Sequence, residues 1–239
     1  MTNELGVYEI INRQAEDGAS AFILDLRNST KITRNISWDN RLVDYINFLM
    51  NTKQQFLEYI INNVNPHEWA FNDTGDGLLC VFWDDFHTVT CLKAFLVLKK
   101  ILDKELKTIN DKLSAEPKLS SGFALHSGGC SIFRSRLNFD DKIIERDFIC
   151  GILPNTVARL EALNKQFINN KTVASGNFRK TFRIQTKLRN SGYMNLFDEK
   201  INFIEKVPMR MQINDAKIKG HVIYLVKDSF FQHANQLIA

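Results

Sequence analysis

The sequence predicts an α+β fold in a single domain that covers residues 1–239. Three observations lead to this prediction. Apolar segments of strand-like pattern alternate with longer segments of helical period, in the order strand, helix, hairpin, helix, strands and helix. The apolar share of 44% is ordinary for a globular protein with a real core. No linker rich in Gly, Ser or Pro and no internal repeat divides the chain.

The first half of the chain supplies four predicted elements. Residues 21–24 are apolar and predict a buried strand, and apolar residues at helical spacing predict one or two helices over residues 40–64. Residues 69–82 predict two strands around a tight turn at residues 74–77. Residues 85–113 predict a second long helix.

The second half is predicted with the same rules. Residues 119–136 indicate a strand that runs into a glycine-rich break and then another strand, and residues 143–152 a further strand. A helix is predicted over residues 153–167, with Pro154 suited to its first turn. The tail is mixed and is predicted to end in a strand at residues 221–226.

Composition excludes several classes of function. The net charge of +4 is too small and too dispersed to favour a nucleic-acid-binding protein. No apolar run reaches the roughly 18 residues of a membrane span, and the N-terminal residues lack a signal-peptide pattern. The four cysteines are widely spaced without a C-x-x-C pair, which favours reduced thiols. We therefore expect a cytoplasmic protein that binds neither nucleic acid nor membrane.

Two aspartates are candidate metal ligands. Asp25 ends the first strand and Asp76 lies between two glycines at the hairpin turn, so a rigid sheet could aim both carboxylates outward. Paired carboxylates repel one another unless a cation such as Mg²⁺ neutralises them. Each residue alone has an ordinary alternative, because T-G-D-G is a common turn and a strand-end Asp can cap its own turn.

Two further sites are candidates for phosphate chemistry. Asn155 and Arg159 are four residues apart and share one face of the predicted helix. Arg159 presents a planar fork of donors that suits a phosphate accumulating charge. Lys217 and Lys219 precede the last strand. Each group alone is equally typical of a solvated surface.

Taken together, these segments resemble one family, the class III nucleotidyl cyclases, which include the adenylyl and guanylyl cyclase catalytic domains. The segment FILDLRNST is similar to the family's F-x-D-I-x-G-F-T strand, and Gly75-Asp76 to its hairpin G-D. The segment ALHSG is similar to its G-I-H-S-G strand. Gly151, Asn155 and Arg159 match its G-x-x-x-N-x-x-x-R motif. The resemblance covers about residues 18–226, and the helix motif with Asn155 and Arg159 argues against a diguanylate cyclase or a polymerase palm with a similar core.

The resemblance implies a fold and a set of metal and phosphate ligands. The fold would be a ferredoxin-like βαββαβ core, with an antiparallel sheet flanked by helices and a C-terminal extension. Asp25, Asp76 and the backbone carbonyl of Leu26 would hold two Mg²⁺ or Mn²⁺ ions. The backbone around Asn28, Ser29 and Thr30 would cradle the triphosphate.

The resemblance also implies an assembly. Family members are dimers with active sites across the interface, so one chain would supply the metal acids and the other Asn155, Arg159 and Lys219. Arg159 would stabilise the α-phosphoryl group, Asn155 would orient the ribose and Lys219 would bind phosphate. The substrate would be a nucleoside triphosphate, and the cyclic product would be read by a separate effector.

Two positions depart from the family's purine pairs. Asn72 lies where adenylyl cyclases have Lys and guanylyl cyclases Glu, and Phe148 lies at the second base-reading position. A bulky Phe148 would shorten the pocket, and Asn72 can donate and accept hydrogen bonds to a pyrimidine edge. One branch of the family, in the bacterial Pycsar anti-phage systems, makes cyclic CMP or cyclic UMP. The sequence thus favours a pyrimidine cyclase, with an atypical adenylyl or guanylyl cyclase or a catalytically dead regulatory domain as alternatives.

Overall fold

The computed structural model describes residues 8–36, 40–114, 117–139, 142–168, 172–188, 196–197, 204–207 and 222–238. The elements of the first half are β1 (Tyr8–Arg27), α1 (Ser29–Ile36), α2 (Asn40–Asn63), β2 (Trp69–Asp73), β3 (Gly77–Phe82), α3 (His87–Leu113) and β4 (Ser120–Phe139). Those of the second half are β5 (Lys142–Cys150), α4 (Ile152–Leu163), a π-helical turn (Asn164–Ile168), β6 (Thr172–Ser175), α5 (Gly176–Leu188), β7 (Ile204–Lys206), β8 (Ile223–Val226) and α6 (Asp228–Ile238).

The strands form one eight-stranded sheet in the order β2-β3-β1-β4-β6-β8-β7, with β5 paired to β4. The first four strands and the helices between them make a βαββαβ unit whose strand pairs are all antiparallel. This confirms the α+β class and the predicted core. The C-terminal extension differs in one respect, because β6 joins β4 in parallel before β8 and β7 continue antiparallel.

The two faces of the sheet follow from the period of two in a strand. On β1, Phe22, Leu24 and Leu26 point into a large core that also contains buried residues of α2, α3, α5 and α6. The alternate residues Ala19 and Ala21 point into a second core that includes the buried face of α4. The same alternation places Asp25 and Arg27 on the α4 side of the sheet.

Strand β4 is longer and more regular than predicted. The sequence predicts a break at Gly128 and Gly129, but the strand continues through both. The irregularity lies in β1, where the register with β4 shifts between Ala15 and Ala19. Glycines in β4 therefore mark a bulge in the neighbouring strand, which increases local twist without ending β4.

Three helices were not predicted by periodicity. Helix α1 has eight residues, and α5 and α6 lie within the mixed tail. Phe178, Phe182 and Phe230 from this tail are fully buried, so long-range packing stabilises segments that have weak local signals. None of the helices in the described parts of the chain is long and apolar enough to cross a membrane.

Candidate functional site

The structure brings Asp25 and Asp76 to the same end of the sheet. In the antiparallel register of β1 and β3, Asp25 pairs with Gly77, the residue that follows Asp76. Both carboxylates also act electrostatically on the phenol of Tyr45, a buried residue of α2. The antiparallel register therefore brings the strand residue and the hairpin residue to one end of the sheet, and their role as metal ligands stays a prediction.

Asp25 has glycine on both neighbouring strands. It pairs with Gly77 of β3 and with Gly122 of β4. Because paired residues share a face of the sheet, the missing side chains leave room beside the carboxylate. Gly122 provides space for Arg27, since a Cβ atom on Gly122 would lie 2.7 Å from the Cζ atom of Arg27.

Arg27 fills that space and links two acids. Its Nη1 atom donates to Oδ2 of Asp25 over 2.5 Å, and its Nη2 atom forms an ion pair with Oε1 of Glu161 on α4. Burial raises the pKa of Glu161, and the charge of Arg27 acts in the opposite direction. Lys165, in the π-helical turn, donates to Oδ2 of Asp25 over 3.1 Å. The sequence analysis did not identify Arg27, Glu161 or Lys165 as site residues.

Asp76 is held in a different way, by a neutral hydroxyl group. The hydroxyl of Ser29 donates to Oδ2 of Asp76, and the side chains of Ser29 and Tyr45 are also hydrogen-bonded. Burial raises the pKa of Tyr45 to about 12, and the charges of Asp76 and Asp25 act in the same direction. Tyr45 is therefore a protonated phenol at physiological pH, suited to hold a hydroxyl beside a carboxylate.

The hairpin turn that carries Asp76 is fixed to α2. The ammonium of Lys53 donates to Oδ1 of Asp73 over 2.6 Å and also to the carbonyl oxygen of Gly75. The backbone N–H of Gly75 donates to the same Asp73 carboxylate over 2.8 Å. Gly75 has a φ of 88°, which a glycine adopts without strain. The turn thus has a defined geometry.

The predicted phosphate loop lies at the start of α1. Asn28 has a φ of 66°, and its carbonyl oxygen accepts the Ile32 N–H over 3.0 Å, so Asn28 turns the chain from β1 into the helix. Ser29 and Thr30 are the first two helical residues. The side chain of Leu26 is buried, which leaves its backbone as the group able to face a ligand. The first N–H groups of a helix have no intrahelical acceptor and favour anions.

The residues predicted on α4 are placed differently from the residues that contact Asp25 and Asp76. Asn155 is exposed and donates to the Gly151 carbonyl over 2.8 Å. Arg159 is half-buried and precedes Glu161 by two positions, which places them about 200° apart around the helix. Glu161 faces Arg27, so Arg159 lies on another side of α4. Lys219 lies outside the described residues.

The two predicted base-reading residues lie on strands that contact each other. Asn72 is exposed on β2, and Phe148 is 51% exposed on β5. β2 and β5 are neighbours in space although they are not hydrogen-bonded partners in the sheet. The exposed ring of Phe148 is available to a ligand or to a second chain.

The donor set fits a hard divalent cation that uses substrate oxygens as further ligands. Asp25 and Asp76 supply two carboxylates, and Mg²⁺ in proteins is typically bound by one or two carboxylates together with substrate phosphates. Among the described residues there is no group of three or more His, Cys, Asp or Glu side chains that could hold a metal ion by themselves.

Comparison with solved structures identifies the fold. The adenylyl cyclase CyaB from P. aeruginosa superposes with a TM-score of 0.57 at 14% identity, covering 92% of this chain and 96% of that chain. The guanylyl cyclase Cya2 gives 0.55 at 12% identity, covering 94% and 96%. The guanylate cyclase domain of RhGC from Catenaria anguillulae, solved with GTP, gives 0.55 at 14% identity, covering 90% and 98%.

These likenesses show that the chain has the fold of adenylyl and guanylyl cyclase catalytic domains. Sequence comparison adds nothing to this, because no protein-family model matches the chain and no curated protein matches it.

Proposed function

We propose that this protein is a nucleotidyl cyclase, which converts a nucleoside triphosphate to its 3′,5′-cyclic monophosphate and pyrophosphate. The observation that carries the proposal is the juxtaposition of Asp25 and Asp76 beside the N-terminus of α1. Two carboxylates can bind divalent cations, and the adjacent helix N-terminus can bind the triphosphate that those cations accompany. The shared fold supports the same assignment.

The reaction is an in-line displacement at the α-phosphorus. The ribose 3′-hydroxyl gives up its proton to solvent and its oxygen forms a new P–O bond, the bond from the α-phosphorus to the bridging oxygen breaks, and pyrophosphate leaves with that electron pair. Two Mg²⁺ or Mn²⁺ ions held by Asp25, Asp76 and the Leu26 carbonyl would supply the Lewis acidity for this step. The backbone N–H groups around Asn28, Ser29 and Thr30 hold the phosphates in place.

The remaining groups come from α4 and from the region before β8. Arg159 stabilises the charge on the α-phosphoryl group, Asn155 orients the ribose and Lys219 binds the leaving pyrophosphate. Arg159 lies on a different side of α4 from Glu161, the residue that faces Asp25 through Arg27. This orientation supports a homodimer in which each site combines the aspartates of one chain with the α4 residues of the other.

We further propose that the base is a pyrimidine, from CTP or UTP. Phe148 would form a wall that shortens the pocket, and Asn72 would hydrogen-bond to the edge of the base. The contact between β2 and β5 supports a shared pocket for these residues. On this basis the protein is a single-domain cytoplasmic synthase of a second messenger in anti-phage defence, and a separate effector reads its product. The buried free thiols Cys80, Cys91 and Cys130 fit a reducing compartment.

A purine cyclase is the second candidate. It is favoured by the ligands in two solved structures of this fold, one in complex with ATPαS and one with GTP. The two candidates differ in one measurable property, the base of the product.

The deciding experiment is an incubation of the purified protein with each of the four nucleoside triphosphates, in Mg²⁺ or Mn²⁺, followed by mass spectrometry of the products. We expect cyclic CMP or cyclic UMP. Cyclic AMP or cyclic GMP as the main product would support the purine candidate. No cyclic product with any of the four would overturn the proposed function and leave a regulatory domain of the same fold.

A further inference from the structure

We propose that Arg27 is a positioning residue for the metal-binding carboxylate Asp25, and that Glu161 balances its charge. Arg27 would fix Oδ2 of Asp25 so that Oδ1 is presented to the divalent cation. The inference rests on the proposed function, because it concerns the metal site of the same reaction.

Burial makes Arg27 a permanent part of this cluster. Its side chain is 5% exposed and that of Glu161 9% exposed, compared with 25% for Asp25. A buried guanidinium must be paired, because an uncompensated charge in the interior is costly. The planar fork of an arginine can bond to two carboxylates at once, which the compact ammonium of lysine cannot do with the same geometry.

Both ionic contacts of Asp25 are made by the same carboxylate oxygen. Arg27 Nη1 lies 2.5 Å and Lys165 Nζ 3.1 Å from the same atom, Oδ2. Oδ1 is not used in either contact. Lys165 is 58% exposed and can leave when a cation or a phosphate arrives. Arg27 is buried, and movement away from Asp25 would leave its charge in the interior without this partner. Arg27 therefore anchors one oxygen and leaves the other for a ligand.

Glu161 offsets the positive charge that Arg27 places beside Asp25. A guanidinium beside a metal-binding carboxylate would repel an incoming divalent cation. Because Glu161 pairs with the same guanidinium, the negative charge of Asp25 remains available to the metal. The four side chains Glu161, Arg27, Asp25 and Lys165 form a cluster of two acids and two bases.

Gly122 provides an independent way to test the arrangement. A Cβ atom at this position would lie 2.7 Å from Cζ and 2.8 Å from Nε of Arg27, too close for the guanidinium to stay where it is. Gly122→Ala therefore displaces Arg27 without removing any charged group. Gly128→Ala is a matched control on the same strand, because its Cβ would lie 3.3 Å from Nε2 of His126, a tight contact that requires a shift of a few tenths of an ångström and does not involve Arg27.

The test measures binding of Mn²⁺ alone to the nucleotide-free protein by electron paramagnetic resonance. Variants Glu161→Gln, Arg27→Lys and Gly122→Ala should each bind Mn²⁺ about 10–100-fold more weakly, the usual cost of losing an outer-shell partner. Gly128→Ala and Glu205→Gln, which alters the exposed Glu205–Lys227 pair, should bind like wild type. In cyclase assays of these three variants, the metal concentration needed for half-maximal activity should rise, and the KM for the triphosphate should be unchanged at saturating metal.

Two results separate this inference from the proposed function. The first is wild-type Mn²⁺ affinity in folded Glu161→Gln and Arg27→Lys proteins, even if their melting temperatures are lower. It would show that the cluster only stabilises the fold, and it would overturn this inference but not the proposed function. A wild-type protein that neither binds Mn²⁺ nor forms a cyclic nucleotide would overturn both. If Gly122→Ala does not fold, the other two variants decide the question.

Discussion

The hydroxyl of Ser29 donates a hydrogen bond to Oδ2 of Asp76, a residue 47 positions further along the chain. This contact joins the first residue of α1 to the hairpin turn between β2 and β3. The predicted phosphate loop and the predicted second metal ligand are thus mechanically connected.

We predict that Ser29→Ala lowers cyclase turnover about tenfold, in the range seen when an outer-shell partner of a metal ligand is removed. Without the hydroxyl, Asp76 loses its hydrogen bond and the Tyr45 phenol loses the group that connects it to the site. The measurement is kcat as a function of Mg²⁺ concentration. Thr30→Ala is the control, since the Thr30 side chain is exposed and the backbone N–H is retained. An equal effect of both substitutions would contradict a special role for Ser29.

We predict that Asp25→Asn and Asp76→Asn each reduce turnover by several orders of magnitude while the protein stays folded. The amide keeps the shape of the side chain but loses the charge that binds a divalent cation. Circular dichroism and thermal melting report on folding, and product formation reports on activity. Near wild-type cyclisation in either variant would remove the two-metal assignment.

Sequence patterns identified those candidate site residues that belong to short local motifs or to motifs resembling those of a known family. The strand-end Asp25 and the turn residue Asp76 follow from patterns of a few residues each. The antiparallel register then brings them together, and the βαββαβ order was readable from alternating periods. The C-terminal helices were not readable, because their burial depends on the tertiary core.

The residues that the sequence analysis missed are those whose meaning depends on distant contacts. Lys165 reaches Asp25 across 140 positions of the chain, and nothing local to Lys165 marks it. For Arg27 the sequence does contain a signal, because the period of two in a strand places Arg27 on the same face as Asp25. Its partner Glu161 could be found only with the packing of α4 against the sheet.

We predict that two inactive chains complement each other. Mixed dimers of Asp25→Ala and Arg159→Ala chains would contain one intact site, built from the unaltered aspartates of one chain and the unaltered α4 of the other. Random reassortment should restore about a quarter of wild-type activity, because half of the dimers are mixed and each has one of two sites. The control is the unmixed stock of each variant. Absence of rescue in demonstrably mixed dimers would place the whole site within one chain.

We predict a loss of stability on mild acidification that depends on His87. The imidazole is buried and forms a 2.8 Å hydrogen bond with Ser20, and burial lowers its pKa below 6.5, against the opposing charge of Asp84. The unfolded state therefore binds the proton first as the pH falls below 6.5. The free energy of unfolding should fall with a contribution from this group of up to about 1.4 kcal/mol per pH unit.

The measurement for His87 is the free energy of unfolding in urea at pH 7.5 and at pH 5.5. His87→Gln should lose stability less steeply between these values than wild type, although it starts lower because a buried hydrogen bond is altered. The same slope in both proteins would show that His87 does not titrate on unfolding.

The last prediction concerns the base, and two substitutions should affect different substrates. A purine is larger than a pyrimidine by a fused five-membered ring, so exclusion of ATP and GTP requires a short pocket. Phe148 is the proposed wall and Asn72 the proposed hydrogen-bonding residue. Filling a pocket rejects a larger ligand sterically, whereas a missing contact changes discrimination by only about 1–3 kcal/mol. Phe148→Ala should therefore admit purines, and Asn72→Ala should lower pyrimidine turnover without admitting them.

The measurement is kcat/KM for CTP or UTP and, separately, for ATP in each variant, because both substitutions lower the ratio of the two values and only Phe148→Ala raises the value for ATP. Phe71→Ala is the matched control, because Phe71 is, like Phe148, an exposed aromatic residue, but it lies on β2 with its ring centroid 5.8 Å from that of Trp69. It should leave the ratio unchanged, since loss of an aromatic ring that is not part of the wall does not lengthen the pocket. An unchanged ratio in Phe148→Ala would mean that another residue closes the pocket. A wild-type preference for ATP or GTP would end the pyrimidine assignment, because Asn72 and Phe148 would then have failed to exclude the larger base.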